Sequence, residues 1–218
     1  MTTETGARPE RPGAQQWVPA DADVAALRAA APGCRGCELW EPATQVVFSA
    51  GNPAARIALV GEQPGDSEDT SGIPFVGPAG KLLQRALGDA GVDRGDVYVT
   101  NAVKHFRFTP RGNRRIHQTP DLAHITACKP WLVAELQRVD PHVTVVLGAT
   151  AAKALLGTTF RVTQHRGEVI ERETSRGPRL FLPTVHPSSV LRTPDDQRDA
   201  AYAALVADLR NIPAAGAA

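Results

Sequence analysis

Short β-branched runs at residues 57–60, 97–103 and 143–147 alternate with stretches of helical apolar spacing at residues 80–90, 120–139 and 150–156. That alternation permits few architectures, because parallel strands need long crossovers and the crossover helices cover the sheet on both faces. The reading is α/β: a three-layer domain with a central, mainly parallel sheet. Residues 169–171 and 180–185 read as further strands, and residues 195–209 as a closing helix with Tyr202, Leu205 and Leu209 inward. Residues 21–31 suit a short helix stopped by Pro32-Gly33, and Thr119-Pro120-Asp121 reads as a helix opening with Thr119 as its cap. Residues 1–20 and 213–218 carry no apolar period and are expected to be flexible, which leaves residues 21–212 as a single domain.

Composition narrows the functional classes. A chain of 218 residues with 42% apolar and 22% charged residues can bury a core without disulfide staples. No apolar run approaches the roughly 20 residues that span a bilayer, and the first thirty residues lack a basic-then-apolar secretory pattern. A cytoplasmic, monomeric protein with no membrane partner is expected. The 24 Lys and Arg against 23 Asp and Glu leave a net charge of +1, so any contact with nucleic acid has to be local. Three cysteines cannot all pair with one another, and they read better as metal ligands than as a disulfide frame.

In open parallel sheets ligands gather beyond the carboxyl ends of the strands. Three of those loops are chemically unusual: Gly61-Glu62-Gln63-Pro64-Gly65 after the first strand, Lys104-His105 and a basic loop after the second, and His186-Pro187-Ser188-Ser189 after a later one. These motifs, together with Pro74-Phe75-Val76-Gly77-Pro78-Ala79-Gly80 and Asn101-Ala102-Val103-Lys104, occur in the order found in the iron–sulfur uracil-DNA glycosylases of family four. The chain resembles that family over most of its length. Arg114-Arg115-Ile116-His117 in an extended loop, and Gln63 after Glu62, look like its UdgX subgroup, whose members bind uracil in DNA and stay covalently attached to it. One departure is Asn113, where the subgroup motif has Lys before Arg-Arg.

The resemblance implies a uracil-DNA glycosylase-like fold and a set of roles. A base-cutting enzyme flips the nucleotide into a pocket and reads it by stacking and by its Watson–Crick edge. Phe75 would be the stacking platform, and the amide of Asn101 suits uracil O4 and N3–H while mismatching the amino group of cytosine. Gln63 is grouped with these uracil-binding residues. It replaces the water-activating Asp of classical uracil glycosylases, and an amide is no base. His186 is placed to donate to uracil O2 as negative charge develops there. Glu62 would support the sugar cation, orient water or take a proton from another nucleophile. His117, an imidazole at the end of the basic loop, would attack C1′ of the sugar.

Residues 104–120 hold Lys104, Arg107, Arg111, Arg114 and Arg115 and no acid, a local basic patch suited to phosphates. Arg111, Arg114, Arg115, Ser188, Ser189 and Arg192 are the expected DNA contacts. The partner is uracil-containing DNA, single strands included. Cys34-x-x-Cys37 has metal-ligand spacing, and Cys128 lies in the helix after the basic loop. The resemblance supplies His105 as fourth ligand, at the position after Asn-x-Val-Lys that is Cys in many members of the family, and on ligand type alone three Cys and one His suit zinc or an iron–sulfur cluster alike. The resemblance decides for a 4Fe–4S cluster. His124, His142 and His165 match no motif. A uracil excisor that ends bound through His117 is thus the first reading, beside a conventional turnover glycosylase and a non-catalytic uracil-DNA reader.

Overall fold

The structure, a computed structural model, describes residues 11–213. In chain order its elements are α1 (Val24–Ala30), β1 (Ser49–Gly51), β2 (Ile57–Gly61), α2 (Asp66–Ser71), α3 (Pro78–Asp89), β3 (Val97–Asn101), β4 (Phe108–Arg111), β5 (Arg114–His117), α4 (Leu122–Val139), β6 (Val143–Leu147), α5 (Gly148–Leu156), β7 (Ile170–Thr174), β8 (Gly177–Thr184), α6 (Pro187–Arg192) and α7 (Asp195–Arg210). Six strands form one sheet in the order β1-β3-β2-β6-β8-β7. The four inner strands run parallel, and the edges β1 and β7 are antiparallel. The mainly parallel three-layer α/β domain is as the alternation predicts.

Side-chain alternation along the strands builds the two outer layers. Val60 and Val146 face the side covered by residues of α1, α4 and α5, where Leu27, Trp131, Leu132 and Ala151 are buried. Leu59, Val145 and Leu147 face the other side, against Leu83 and Leu87 of α3, Val190 of α6 and Leu205 and Leu209 of α7. A sheet buried on both faces needs the near-continuous apolar strands that the sequence carries.

Several local expectations change. The second strand stops at Asn101, beyond which the successive Ala102 N and Val103 N both donate to the β2 side, to Gly61 O and Glu62 O at 2.9 and 3.0 Å, where strand N–H groups would alternate. Asp121, not Thr119, caps α4, its carboxylate accepting from His124 N at 3.0 Å. The basic loop is an antiparallel hairpin, β4–β5. Residues 11–20 form no helix or strand but are docked: Ala14 is buried, Ala14 N donates to Ala127 O at 2.8 Å, and Arg11 pairs with Glu38 and Asp121. The expected flexible segment is therefore packed over its second half, while its first ten residues and residues 214–218 lie outside the described part. Among the described residues no helix is long and apolar enough to cross a membrane.

Candidate active site and metal centre

The chain places β3 on one side of β2 and then crosses to place β6 on the other, so the topological switch lies at the carboxyl end of β2. Gly61, Asn101 and, beyond β8, His186 converge there. Asn101 is buried, and its Oδ1 has no hydrogen-bond partner among the described residues. A buried amide oxygen without a donor is costly and marks a place where a ligand N–H belongs. Phe75 stands beside it with a left-handed φ of 58°, a strained conformation for an aromatic residue, and its ring lies 6.0 Å from that of His186. Two glycines make this possible. A Cβ on Gly61 would sit 2.4 Å from Asn101 Oδ1 and 2.5 Å from the Phe75 ring, and a Cβ on Gly80 would sit 1.8 Å from Phe75 O.

His186 caps α6 with its own side chain: Ser188 N donates to Nδ1 at 3.2 Å. A backbone N–H can only donate, so Nδ1 is the acceptor and the neutral ring carries its proton on Nε2. Burial pushes the imidazole pKa down to about 4, with the charge of Glu62 opposing. The ring is a neutral donor at neutral pH. Ser188 Oγ, 2.8 Å from Nδ1, also receives Arg192 Nη1 at 3.0 Å, so this serine and arginine orient the histidine as well as edging the site.

Glu62 is held from two sides. His117 Nε2 lies 3.2 Å from Oε1, and Thr150, in the first turn of α5, donates to Oε2. Burial works against the charged carboxylate, but these hydrogen bonds outweigh it and its pKa lies below the ordinary value. Thr150 was not foreseen, although its place just beyond β6, at a fourth strand end, was a usable signal.

The hairpin brings His117 to this carboxylate, and two predicted contact residues turn out to hold the hairpin instead. Gln63 is buried and committed: Oε1 accepts from Arg107 N at 3.0 Å, and Nε2 donates to Arg107 O and Gln118 O at 3.2 and 3.0 Å. Where a uracil contact is expected of it, both atoms of its amide clamp the base of the hairpin. Arg115 turns inward, its guanidinium reaching Asp66 at 2.6 Å and the fully buried Asp69 at 2.5 Å, with the rings of Phe106 and Phe108 beneath it. It is not free for a phosphate, because a buried carboxylate claims it. Lys104 is also removed from the basic patch, being buried against Glu135. Arg111 and Arg114 remain exposed at the hairpin tip, and Arg192 is exposed at the end of α6.

Cys34, Cys37, His105 and Cys128 are all buried and line one small cavity with Ala14, Val46 and Trp131. No three of the described His, Cys, Asp and Glu side chains are gathered at single-ion geometry. The donor set nonetheless fits a metal group. Burial raises the thiols of Cys37 and Cys128 to about 11 and about 12, and lowers His105 to about 4, leaving its imidazole neutral with a lone pair to give. Lys104 N donates to Cys128 Sγ at 3.3 Å. Three thiols sharing one apolar cavity are stabilised as thiolates by a bound cation.

Residues 48–210 match the uracil DNA glycosylase superfamily, and the chain belongs to that family. Within it, the chain is 41% identical over 160 residues to the type-4 uracil-DNA glycosylase of Thermotoga maritima, covering 73% of this chain and 78% of that one. The type-4 enzyme of Archaeoglobus fulgidus is 38% identical over 167 residues, covering 74% and 79%. A type-5 uracil-DNA glycosylase of Pyrobaculum aerophilum is 31% identical over 172 residues, covering 71% and 70%.

Proposed function

We propose that this protein excises uracil from DNA, single strands included, and is then captured by its product, with His117 bonded to C1′ of the abasic sugar. The observation that carries this reading is the pairing of His117 with Glu62 at 3.2 Å, beside a pocket whose Asn101 Oδ1 is unmet. Uracil N3–H supplies the missing donor to Oδ1, and the Asn101 amide N–H donates to O4. Cytosine has no N3–H and presents an amino group where O4 should be, so it leaves the pocket polar groups unpaired.

The glycosidic bond breaks with its electron pair on uracil, and the Nε2–H of His186 donates to O2 of the departing anion. A neutral donor is sufficient, and the low pKa of His186 keeps it neutral. Positive charge grows at C1′ beside Glu62. A lone-pair nitrogen of His117 then bonds to C1′, and the proton that the cationic ring must lose passes to Glu62. Water is the weaker competitor. Gln63 cannot act as a base and is spent on the hairpin, while both oxygens of Glu62 are already engaged. Proximity favours the held imidazole, and an N-alkylated imidazole is a poor leaving group.

Cys34, Cys37, Cys128 and His105 would hold the 4Fe–4S cluster that the family resemblance implies. When bound, it supplies a rigid joint between the N-terminal loop, the segment after β3 and α4, not redox chemistry. Purified protein should contain about four irons per chain. Arg111, Arg114, Arg192 and the Ser188-Ser189 turn face the DNA backbone.

The test is to mix protein with a uracil-containing oligonucleotide and run it under denaturing conditions. A one-to-one shifted band, mapped by mass spectrometry to His117, is expected. Repeated release of uracil without any stable adduct would reject the capture and leave a conventional glycosylase.

A further inference from the structure

One buried pair of opposite charges among the described residues has no part in the chemistry above. Lys104 is 1% exposed and Glu135 fully buried, and they form an ion pair between the segment that follows β3 and α4. A buried pair is a weak source of stability, since apolar residues of similar size often serve as well. What this one touches is informative. Lys104 Nζ reaches three acceptors: the Glu135 carboxylate, Thr100 Oγ1 at 2.6 Å and Asn101 O at 3.0 Å. An ammonium has three protons, so its donors are fully used. Tyr98 OH and Thr100 Oγ1 also donate to Glu135 Oε1, at 2.7 and 3.0 Å, which pins the carboxylate to β3.

We infer that Lys104 is a positioning residue for uracil recognition: it fastens the backbone of Asn101 from behind the pocket and joins that residue to the metal-binding Cys128. The inference rests on the uracil-excision reading and deepens it. Asn101 is the last residue of β3, and its own carbonyl is the one that Nζ of Lys104 meets. Its side-chain oxygen is held in a pocket without a partner, so its place there depends on where the backbone sets the side chain's root. The charge-assisted bond from Nζ to the Asn101 carbonyl holds that backbone, and because no proton of the ammonium is spare, the lysine does not itself satisfy Oδ1. The backbone N–H of the same lysine donates to Cys128 Sγ, and the next residue is His105. Five consecutive residues, 101–105, thus run from the uracil reader to a metal ligand. Glu135 lies on the same helix as Cys128, two turns on, so one helix carries both anchors.

The test uses the iron-loaded protein and two variants, Lys104→Met and the double variant Lys104→Met/Glu135→Gln. The double variant removes both charges and leaves Tyr98 and Thr100 an acceptor, so it remains a fair test where the single variant fails to fold. The readouts are affinity for an oligonucleotide carrying a cleavage-resistant 2′-fluorinated uracil nucleotide, affinity for the matched undamaged oligonucleotide, and iron content. A positioning role predicts that the preference for uracil over undamaged DNA falls about tenfold, through loss of one charge-assisted hydrogen bond. Undamaged-DNA affinity and iron should stay at wild-type values. A folded double variant with full uracil preference overturns the inference, as does one that loses iron and keeps its preference. Wild-type protein assayed alongside for uracil release separates failure of the inference from failure of the excision reading.

Discussion

The proposed uracil pocket and the His117 hairpin meet at Glu62 but are built differently. The pocket hangs on carboxyl ends of parallel strands: Gly61 and Asn101 are paired in the β2–β3 ladder, and behind them lies the buried network of Thr100, Lys104 and Glu135. The hairpin is a two-stranded sheet outside the main one, with His117 about half exposed. Two strands alone are marginally stable in water, so this pair depends on the Gln63 clamp at its base and the Arg115 anchor to Asp66 and Asp69. On the proposed mechanism, recognition sits on the main sheet and capture on a separate clamped arm. Excision and capture should therefore come apart by mutation.

The largest effect is expected from His117→Ser. The adduct should vanish on a denaturing gel while free uracil still appears, and loss of both together would break the division between the two regions. Gly61→Ala should act oppositely. Its Cβ would lie 2.4 Å from Asn101 Oδ1, displacing the reader, so excision and adduct should fall together by about a hundredfold in single-turnover assays. Arg115→Ala sharpens the comparison. It leaves the buried Asp69 without its charged partner, though Thr44 N still donates to it, and should cost about 2 kcal/mol in denaturant unfolding. Adduct yield per uracil released should drop about tenfold, because the hairpin loosens while the pocket does not.

A smaller effect concerns pH. His186, lowered to about 4, and Glu62, held below its ordinary value, keep their working forms well into the acid range. Single-turnover excision should stay level from pH 8 to about 5 and fall only near 4; a fall centred near 6.5, an ordinary histidine pKa, would contradict the neutral-donor role. Stability follows different windows. The depressed His186 withdraws stability as pH drops from about 6.5, where the unfolded chain takes up the proton, to about 4. Glu62, as a depressed carboxylate, contributes above its unfolded pKa and loses that contribution as pH falls through its lower folded one. Smallest is Arg114→Ala at the exposed hairpin tip. It should reduce the slope of log affinity against log salt by about 0.7 to 0.9 and leave uracil preference unchanged, whereas Arg115→Ala should leave the slope nearly as it is.

Much of this was legible along the chain because it depends on local pattern. β-Branched runs alternating with helical spacing determine a parallel sheet with two covering layers, and that sheet determines where its strand ends gather Glu62, Asn101 and His186. Cys34 and Cys37, singled out by their spacing, line one cavity with Cys128 and His105. The hairpin was not legible: Arg111-Gly112-Asn113-Arg114 reads as a solvated basic loop, and its strands pair over too few residues to show a period. Nor could charge alone say which cations face DNA. Arg114 and Arg115 are neighbours of one type, yet successive residues of a strand point to opposite faces. The inward face of Arg115 was decided by Asp66 and Asp69, 49 and 46 residues away, and the burial of Lys104 by Glu135, 31 residues away. Side-chain periodicity is a property of neighbouring residues, so sequence carries it. Whether a charge meets phosphate or a buried partner depends on distant segments meeting, and only the folded chain decides that.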